Sequence, residues 1–322
     1  MRPTGKLHLG HLVGALDNWA ALQAQYDCFY FVADWHALTS DYADTSAIVP
    51  NAYDMVADWI AGGLDPERST LFVQSMVPQH AELNLLLSMT IPIPWLERVP
   101  TYKEQMEQLS EKDLSTVGFL GYPLLQTADI IIYNAHYVPV GDDQVPHLEL
   151  SREIVRRFHN FFGELFVEPQ PLLTKVPRLP GLDNRKMSKS YSNTINLSDD
   201  GETVRKKVMQ MYTDPKRVRA DIPGTVEGNP VFTYHDAFNT ETAEVDDLKE
   251  RYRAGKVGDV EVKTKLARAV NARLEPIRAR RNELLAKPST LREILQEGSR
   301  KAALIAEETM DRVRAAVKLQ YS

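Results

Sequence analysis

Cysteine occurs once in the 322 residues, at Cys28. A single thiol excludes an internal disulfide and any multi-cysteine zinc or iron–sulfur site, and it suits a reducing compartment, so a cytoplasmic location is expected. No run of about 18 apolar residues is present, so neither a membrane span nor a membrane partner is expected. Nothing behind Met1 has the basic start and apolar core of a secretory leader. An excess of positive charge is missing too. The 38 Lys+Arg against 44 Asp+Glu leave a net charge of −6, unsuited to a chain that binds nucleic acid over its whole surface. The opening "MRPTGKLHLGHLVGAL" also lacks the β-strand that usually precedes a glycine turn feeding a helix.

The charge that is present is unevenly spread. Residues 200–322 carry 24 Lys+Arg against 20 Asp+Glu, whereas residues 1–199 carry 14 against 24. A basic part behind an acidic one hints at a polyanionic partner, although solvated helix faces would give the same count. Short apolar runs at 28–33 ("CFYFVA"), 70–75 ("TLFVQS") and 137–141 ("YVPVG") read as strands. Helical patterns at 12–25, 44–62, 118–133 and 147–158 separate them. This alternation predicts an α/β fold with a doubly wound parallel sheet of Rossmann type. Beyond residue 198 the pattern turns helical, with a turn-rich connector at 213–230. Pro276 is expected to kink or divide one of these helices, and Thr290 with Glu293 to form a capping box at the start of the last. Two domains are therefore read, 1–197 catalytic and 198–322 helical.

Several residues carry chemistry in this pattern. Pro3 and Gly5 make a tight turn, and His8, Gly10 and His11 stand where the first helix begins. Two imidazoles and a glycine at a helix start suit phosphate. A second cluster, Lys186, Met187, Ser188, Lys189 and Ser190, has no apolar period and reads as a loop whose lysines neutralise a polyphosphate. Alone, such a loop is an ordinary charged loop; beside the histidine pair it reads as its partner. Asp129 lies in the apolar run "LLQTADIIIYN", where an unpaired carboxylate would cost at least several kcal/mol, as a rough figure, so it needs a donor. A capping or salt-bridged Asp is the plain alternative.

Tyr122 and Gln126 share a helix face with Asp129 and, with Gln144, offer neutral acceptors for an α-ammonium group. His36 falls just beyond the end of the first strand, where open α/β sheets bind ligands; a loop histidine satisfied by its neighbours competes with that reading. Gly141, Asp142 and Asp143 follow a strand and suit a ribose; the two carboxylates could instead hold a metal, but magnesium takes many of its ligands from phosphate and water. No protein-held metal is predicted.

His8-Leu9-Gly10-His11 together with Lys186-Met187-Ser188-Lys189-Ser190 resembles the paired signature of class I aminoacyl-tRNA synthetases. "ADWHALT" (33–39), "YPLLQTADIIIY" (122–133) and "VPVGDDQVPHLELSREIVRRF" (138–158) narrow the resemblance to the bacterial tryptophanyl-tRNA synthetases, and "TDPKRVRADIPG" and "LEPIRARR" extend it into the helical part. It covers nearly the whole chain. It implies a ligase that activates L-tryptophan with ATP and Mg2+ to tryptophanyl-adenylate and then loads tRNA(Trp), acting as a homodimer.

By resemblance, His8, His11, Lys186 and Lys189 are catalytic. Arg2, Pro3, Thr4, Gly10, Gly141, Asp142, Asp143, Leu179, Met187, Ser188 and Ser190 join His11 and the lysines at ATP. Asp129 accepts the indole N–H, with Tyr122, Gln126, Gln144 and His36 around the amino acid; many relatives carry methionine where Gln126 stands. Lys263, Lys265, Arg268, Arg273, Arg278, Arg280 and Arg281 fall in the part that holds the anticodon. Relatives place a strand directly before the first turn. About seven residues of first strand are thus expected to be missing, from a start set downstream of the true one or a truncated chain; at ~3.3 Å per residue they would make one central strand. A tyrosyl-tRNA synthetase, a shorter nucleotidyltransferase and a non-catalytic RNA-binding paralogue are the alternative readings.

Overall fold

The computed structural model describes residues 1–99, 102, 113–173, 179–187, 191–217 and 219–321. Ser188, Lys189 and Ser190 of the predicted lysine loop lie outside them. The chain opens with a turn and a continuous helical stretch interrupted in type only: α1 (Leu9–His11), a π-helical turn (Leu12–Leu16) and α2 (Asp17–Leu22). β1 (Cys28–Val32), α3 (Asp34–Asp41), α4 (Ile48–Ala61) and β2 (Ser69–Val73) follow. Then come α5 (Gln79–Ser88), α6 (Ile93–Glu97), α7 (Val117–Ile131), β3 (Tyr137–Val140), α8 (Val145–Phe162) and β4 (Gln170–Leu173). Five helices complete the described chain: α9 (Gly201–Met209), α10 (Pro230–Phe238), α11 (Thr242–Arg253), α12 (Asp259–Leu285) and α13 (Pro288–Ala316).

Both strand pairs among the described residues are parallel, as the alternation of strands and helices requires. β1 pairs β2 from Cys28↔Ser69 to Val32↔Val73, and β3 pairs β4 from Tyr137↔Gln170 to Val140↔Leu173. β4 is absent from the strand assignment made on sequence. Its Pro171 cannot donate to a ladder, which fits a position at a sheet edge.

The two pairs do not join into one sheet among the described residues. A cleft of about 680 Å³ lies between Cys28–Phe31 on one side and Tyr137–Pro139 on the other, with Asp129 and Tyr133 in its wall. At its end the Met1 amine donates to the Phe31 carbonyl (2.6 Å) and the Ala33 N–H to the Met1 carbonyl (2.8 Å). This is how one residue of a parallel strand brackets Val32.

The helices after residue 200 do not stand apart from the sheet. One buried cluster runs from Leu7 and Leu9 through Trp59 to Leu266, Leu274 and Leu295, and a second joins Phe72 and Phe158 to Ala302 and Val313. α13 lies directly on β2: a Cβ at Gly298 would sit 1.9 Å from the Leu71 carbonyl oxygen, so only glycine permits this approach. Beside it, Val73 donates its N–H to Ser299 Oγ (3.2 Å), so the helix covers backbone that an edge strand would leave open.

Two local expectations are corrected here. α12 is not divided at Pro276: the helix continues from Asp259 to Leu285, and Leu274 and Ile277 on either side are buried, which outweighs the missing hydrogen bond. The last helix begins at Pro288, before the Thr290–Glu293 pair, since proline suits the first helical position and carries no N–H to satisfy.

Candidate active site

The π-helical turn and α1 place His8 at the helix start in extended geometry (φ −124°, ψ 172°), with its backbone N–H donating to His11 Nδ1 at 3.1 Å. The two imidazoles face each other with ring centroids 3.8 Å apart. The rest of this corner comes from 180 residues further on. His8 and Asn196 form an antiparallel bridge, Leu9 donates to Ile195 (2.9 Å), and Leu197 donates to Leu7 (2.9 Å). The lysine segment turns back on itself through a Pro180–Lys186 bridge. Its base is held by Asn193, which donates to the Lys186 carbonyl (3.1 Å) and to Asp183 Oδ1 (2.8 Å). Tyr234 from α10 donates to the Pro180 carbonyl at 2.9 Å. Met187 then packs onto the helix start, where a Cβ at Gly10 would meet its sulfur at 2.8 Å. His8, Gly10, His11, Lys186 and Met187 therefore form one corner, and Leu179 is buried beside it.

Arg2 and Thr4 belong to the turn before His8: Thr4 donates to the Arg2 carbonyl, and Gly5 takes a positive φ of 96°. The Arg2 guanidinium donates to Ser40 Oγ (2.5 Å) on α3. Burial lowers its pKa from the ordinary arginine value, while Asp41 and Tyr122 act to raise it, so the turn stands next to the Tyr122 side of the site.

Asp129 is 4% exposed and fully engaged. His36 Nε2 lies 2.8 Å from Oδ2, His80 Nδ1 lies 2.6 Å from Oδ1, and Gln74 Nε2 donates to both oxygens at 2.8 and 3.0 Å. Burial alone would raise this carboxyl; the hydrogen bonds from His36 and His80 outweigh it and hold the pKa at about 2. Tyr122 and His147 make a neighbouring pair, the phenol oxygen 3.0 Å from Nε2, and burial lowers the His147 pKa. Gln126 lies half-buried on the same helix, α7. Gly141, Asp142 and Asp143 form the turn after β3. There a Cβ at Gly141 would crowd Asp143 Oδ1 at 2.9 Å, and Gln144 donates to Asp143 Oδ2 (3.1 Å).

Sequence reasoning missed Gln74, His80 and Tyr133, although Gln74 stands just beyond β2 as His36 does beyond β1. Much of the basic stretch of α12 is paired within the chain, which narrows the residues left open to RNA. Lys263 is buried, donating to the Met211 carbonyl (2.6 Å) and Thr213 Oγ1 (2.7 Å). Arg281 is buried against Asp58 and Asp54, both at 2.9 Å. Arg273 reaches Asp17 (2.6 Å), Arg278 donates to the Asp199 carbonyl (3.1 Å), and Lys265 pairs with Glu244 (3.1 Å). Arg268 and Arg280 also have carboxylate partners, but their side chains, like that of Arg273, are exposed.

A helix start carrying paired histidines, with Lys186 and Met187 packed against it beside parallel strands, is the architecture of a nucleotide-activating enzyme. The sequence profile of the tRNA synthetases class I (W and Y) matches residues 1–275, and the chain belongs to that family. Within it, the chain groups with the bacterial tryptophan–tRNA ligases. It is 49% identical to the tryptophan–tRNA ligase of Thermotoga maritima, covering 100% of this chain and 98% of that one. It is also 49% identical to that of Treponema pallidum, covering 99% and 95%. The solved structure of the Campylobacter jejuni tryptophanyl-tRNA synthetase, complexed with ADP and tryptophan, matches with a TM-score of 0.89 at 34% identity, covering 99% and 98%.

Proposed function

We infer that this chain joins L-tryptophan to tRNA(Trp) in two steps, and that the corner around His8, His11 and Lys186 together with the Asp129 site carries the first. The observation behind this reading is the close approach of Gly10 to Met187, which brings the histidine signature against the start of the lysine segment, with the His8–Asn196 bridge beside it. The tryptophan carboxylate attacks the α-phosphorus of ATP in line; pyrophosphate leaves and tryptophanyl-adenylate forms. A ribose hydroxyl at the tRNA 3′ end then attacks the acyl carbon and AMP leaves. Neither step needs an enzyme nucleophile, so catalysis rests on positioning and on charge stabilisation.

His8 and His11 donate to the phosphates, with Lys186 and Lys189 following charge onto pyrophosphate, and Ser188, Ser190 and Met187 completing that loop. Arg2, Pro3 and Thr4 line the nucleotide turn. Leu179 and Gly141 approach the nucleoside, and Asp142 and Asp143 accept from the ribose. Magnesium is part of the nucleotide substrate, held by phosphate oxygens and water. Asp129 accepts the indole N–H, which is a donor only. His36, Tyr122, Gln126 and Gln144 surround the remaining amino acid.

The helical segment from 198 serves tRNA, with Arg268, Arg273 and Arg280 as exposed candidates. Leu85 (55% exposed) on α5, Met89 (70%) just beyond its end and Ile93 (59%) on α6 are exposed apolar side chains close in sequence that suit a homodimer interface. The described residues contain no helix long and apolar enough to cross a membrane, and a cytoplasmic location fits the reaction.

Amino-acid-dependent pyrophosphate exchange tests the assignment. Tryptophan should support exchange at least a hundredfold better than tyrosine. Preference for tyrosine, or exchange with neither, would overturn it.

A further inference from the structure

We propose that His80 and Tyr133 form a positioning relay that fixes which oxygen of Asp129 receives the indole N–H of tryptophan. This rests on the reading of Asp129 as the indole acceptor. His80 is wholly buried in the first turn of α5, and Tyr133 lies four residues beyond Asp129. Between them they span a continuous line: Tyr133 Oη to His80 Nε2 at 2.7 Å, and His80 Nδ1 to Asp129 Oδ1 at 2.6 Å. The rings of Phe31 and Phe72 lie against His80, at 5.9 and 6.0 Å, and Phe29 stacks on Tyr133 at 4.9 Å. In that apolar setting an imidazole and a phenol persist only if each is hydrogen-bonded, and a leucine and a phenylalanine would fill the space at less polar cost.

The direction of each bond follows from chemistry. A carboxylate only accepts, so His80 donates from Nδ1. Tyr133 keeps its proton, because burial and the nearby Asp129 charge both push its pKa up, and so it donates to Nε2. The phenol thereby selects the tautomer that can hold Asp129. A carboxylate plane has a broad, two-fold torsion of its own, and His80 pins it from the core side through Oδ1. Oδ2 then points to His36, whose side chain is 12% exposed at the start of α3, while Gln74 bridges both oxygens. Oδ2 is thus the exchangeable acceptor. The ligand's N–H takes the place of His36 there, and the Oδ1 bond to His80 stays.

The test compares tryptophan with 3-benzothienylalanine, in which sulfur replaces the indole N–H, in pyrophosphate exchange by the full chain. His80→Leu should raise KM for tryptophan about tenfold or more, the scale of one hydrogen bond to a charged group, while KM for the sulfur analogue and kcat for both change little. His80→Asn keeps a donor where Nδ1 was and should hold the wild-type preference within about threefold. Tyr133→Phe should lower the preference for tryptophan over the sulfur analogue, with a modest fall in the thermal unfolding temperature from the His80 nitrogen left unpaired. An unchanged preference in His80→Leu, or equal losses on both substrates in His80→Leu and His80→Asn, would overturn the relay. Should His80→Leu fail to fold, an unchanged preference in Tyr133→Phe would do so alone. Asp129→Ala separates the two readings: if it retains the preference, the indole-acceptor role of Asp129 fails; if it loses the preference while His80→Leu does not, only the relay fails.

Discussion

Gly10 and Met187, 177 positions apart, meet so closely that a Cβ on the glycine would lie 2.8 Å from the methionine sulfur and 3.0 Å from the His8 ring. The glycine is required by contact between the two signature segments, since it sits in a helical turn with no positive φ. Gly10→Ala must shift the Met187 side chain or the His8 ring. The adenylation rate, measured by single-turnover adenylate formation, should fall on the order of tenfold to a hundredfold, as misplacing reacting groups by about an ångström does. Tryptophan affinity by equilibrium titration should stay within about threefold. A full rate in Gly10→Ala would mean that the contact does not position the phosphate site.

Asp129 makes a pH prediction with a defined sign. Its folded pKa is about 2, below the ordinary carboxyl value of 3.8, because the His36 and His80 bonds outweigh burial. The unfolded chain therefore binds more protons than the folded one between those values. The stabilisation is complete above about pH 4 and is lost as the pH falls toward 2, on the order of 2 kcal/mol in all. Urea unfolding measured from pH 5 to pH 2 should show a shallower loss of stability in Asp129→Asn than in wild type. Parallel curves would refute the assignment.

Arg281 should matter for folding rather than for RNA. It is buried against Asp58, itself 2% exposed, and Asp54, joining α12 to α4. Burial raises the Asp58 pKa to about 6 even though Arg281 pulls it down. A carboxyl raised in this way stabilises the fold at low pH, and that contribution falls as the pH climbs from 3.8 through 6. Arg281→Met leaves the Asp58 charge uncompensated and its pKa higher still, so a loss of about 3–5 kcal/mol is expected at alkaline pH where Asp58 stays charged, shrinking as the pH falls toward 6 and levelling off below it. Adding Asp58→Asn should recover most of it. Weaker tRNA binding with unchanged stability in Arg281→Met would reverse the assignment.

What could be read in the residues, and what could not, follows from the range of each interaction. β1, β2, β3 and α7 are visible because aromatic and β-branched runs, or a 3.6-residue apolar period, act within about ten residues. β4 escapes because "QPLL" is short, exposed at its ends and interrupted by Pro171, and only its ladder with β3 makes it a strand. The Asp129 carboxylate announced that a donor must exist, since burial without one is too costly. That the donors are His36, Gln74 and His80, from three separate elements, is nowhere in its neighbourhood. Lys263 and Arg281 looked like part of a basic RNA face because sequence reports charge and not the partner that neutralises it.

The sequence by itself determined the chemistry: a histidine pair at a helix start, a lysine loop, an acidic residue in an apolar helix and a parallel α/β pattern all follow from residue types and local spacing. Tertiary structure alone decided what touches what. It set Met187 on Gly10, Asn196 beside His8, Gly298 on the backbone of Leu71, and His80 between Tyr133 and Asp129. Those relationships join positions from about 50 to more than 200 residues apart, where the outcome is set by close packing and by the need of each buried polar group for a partner.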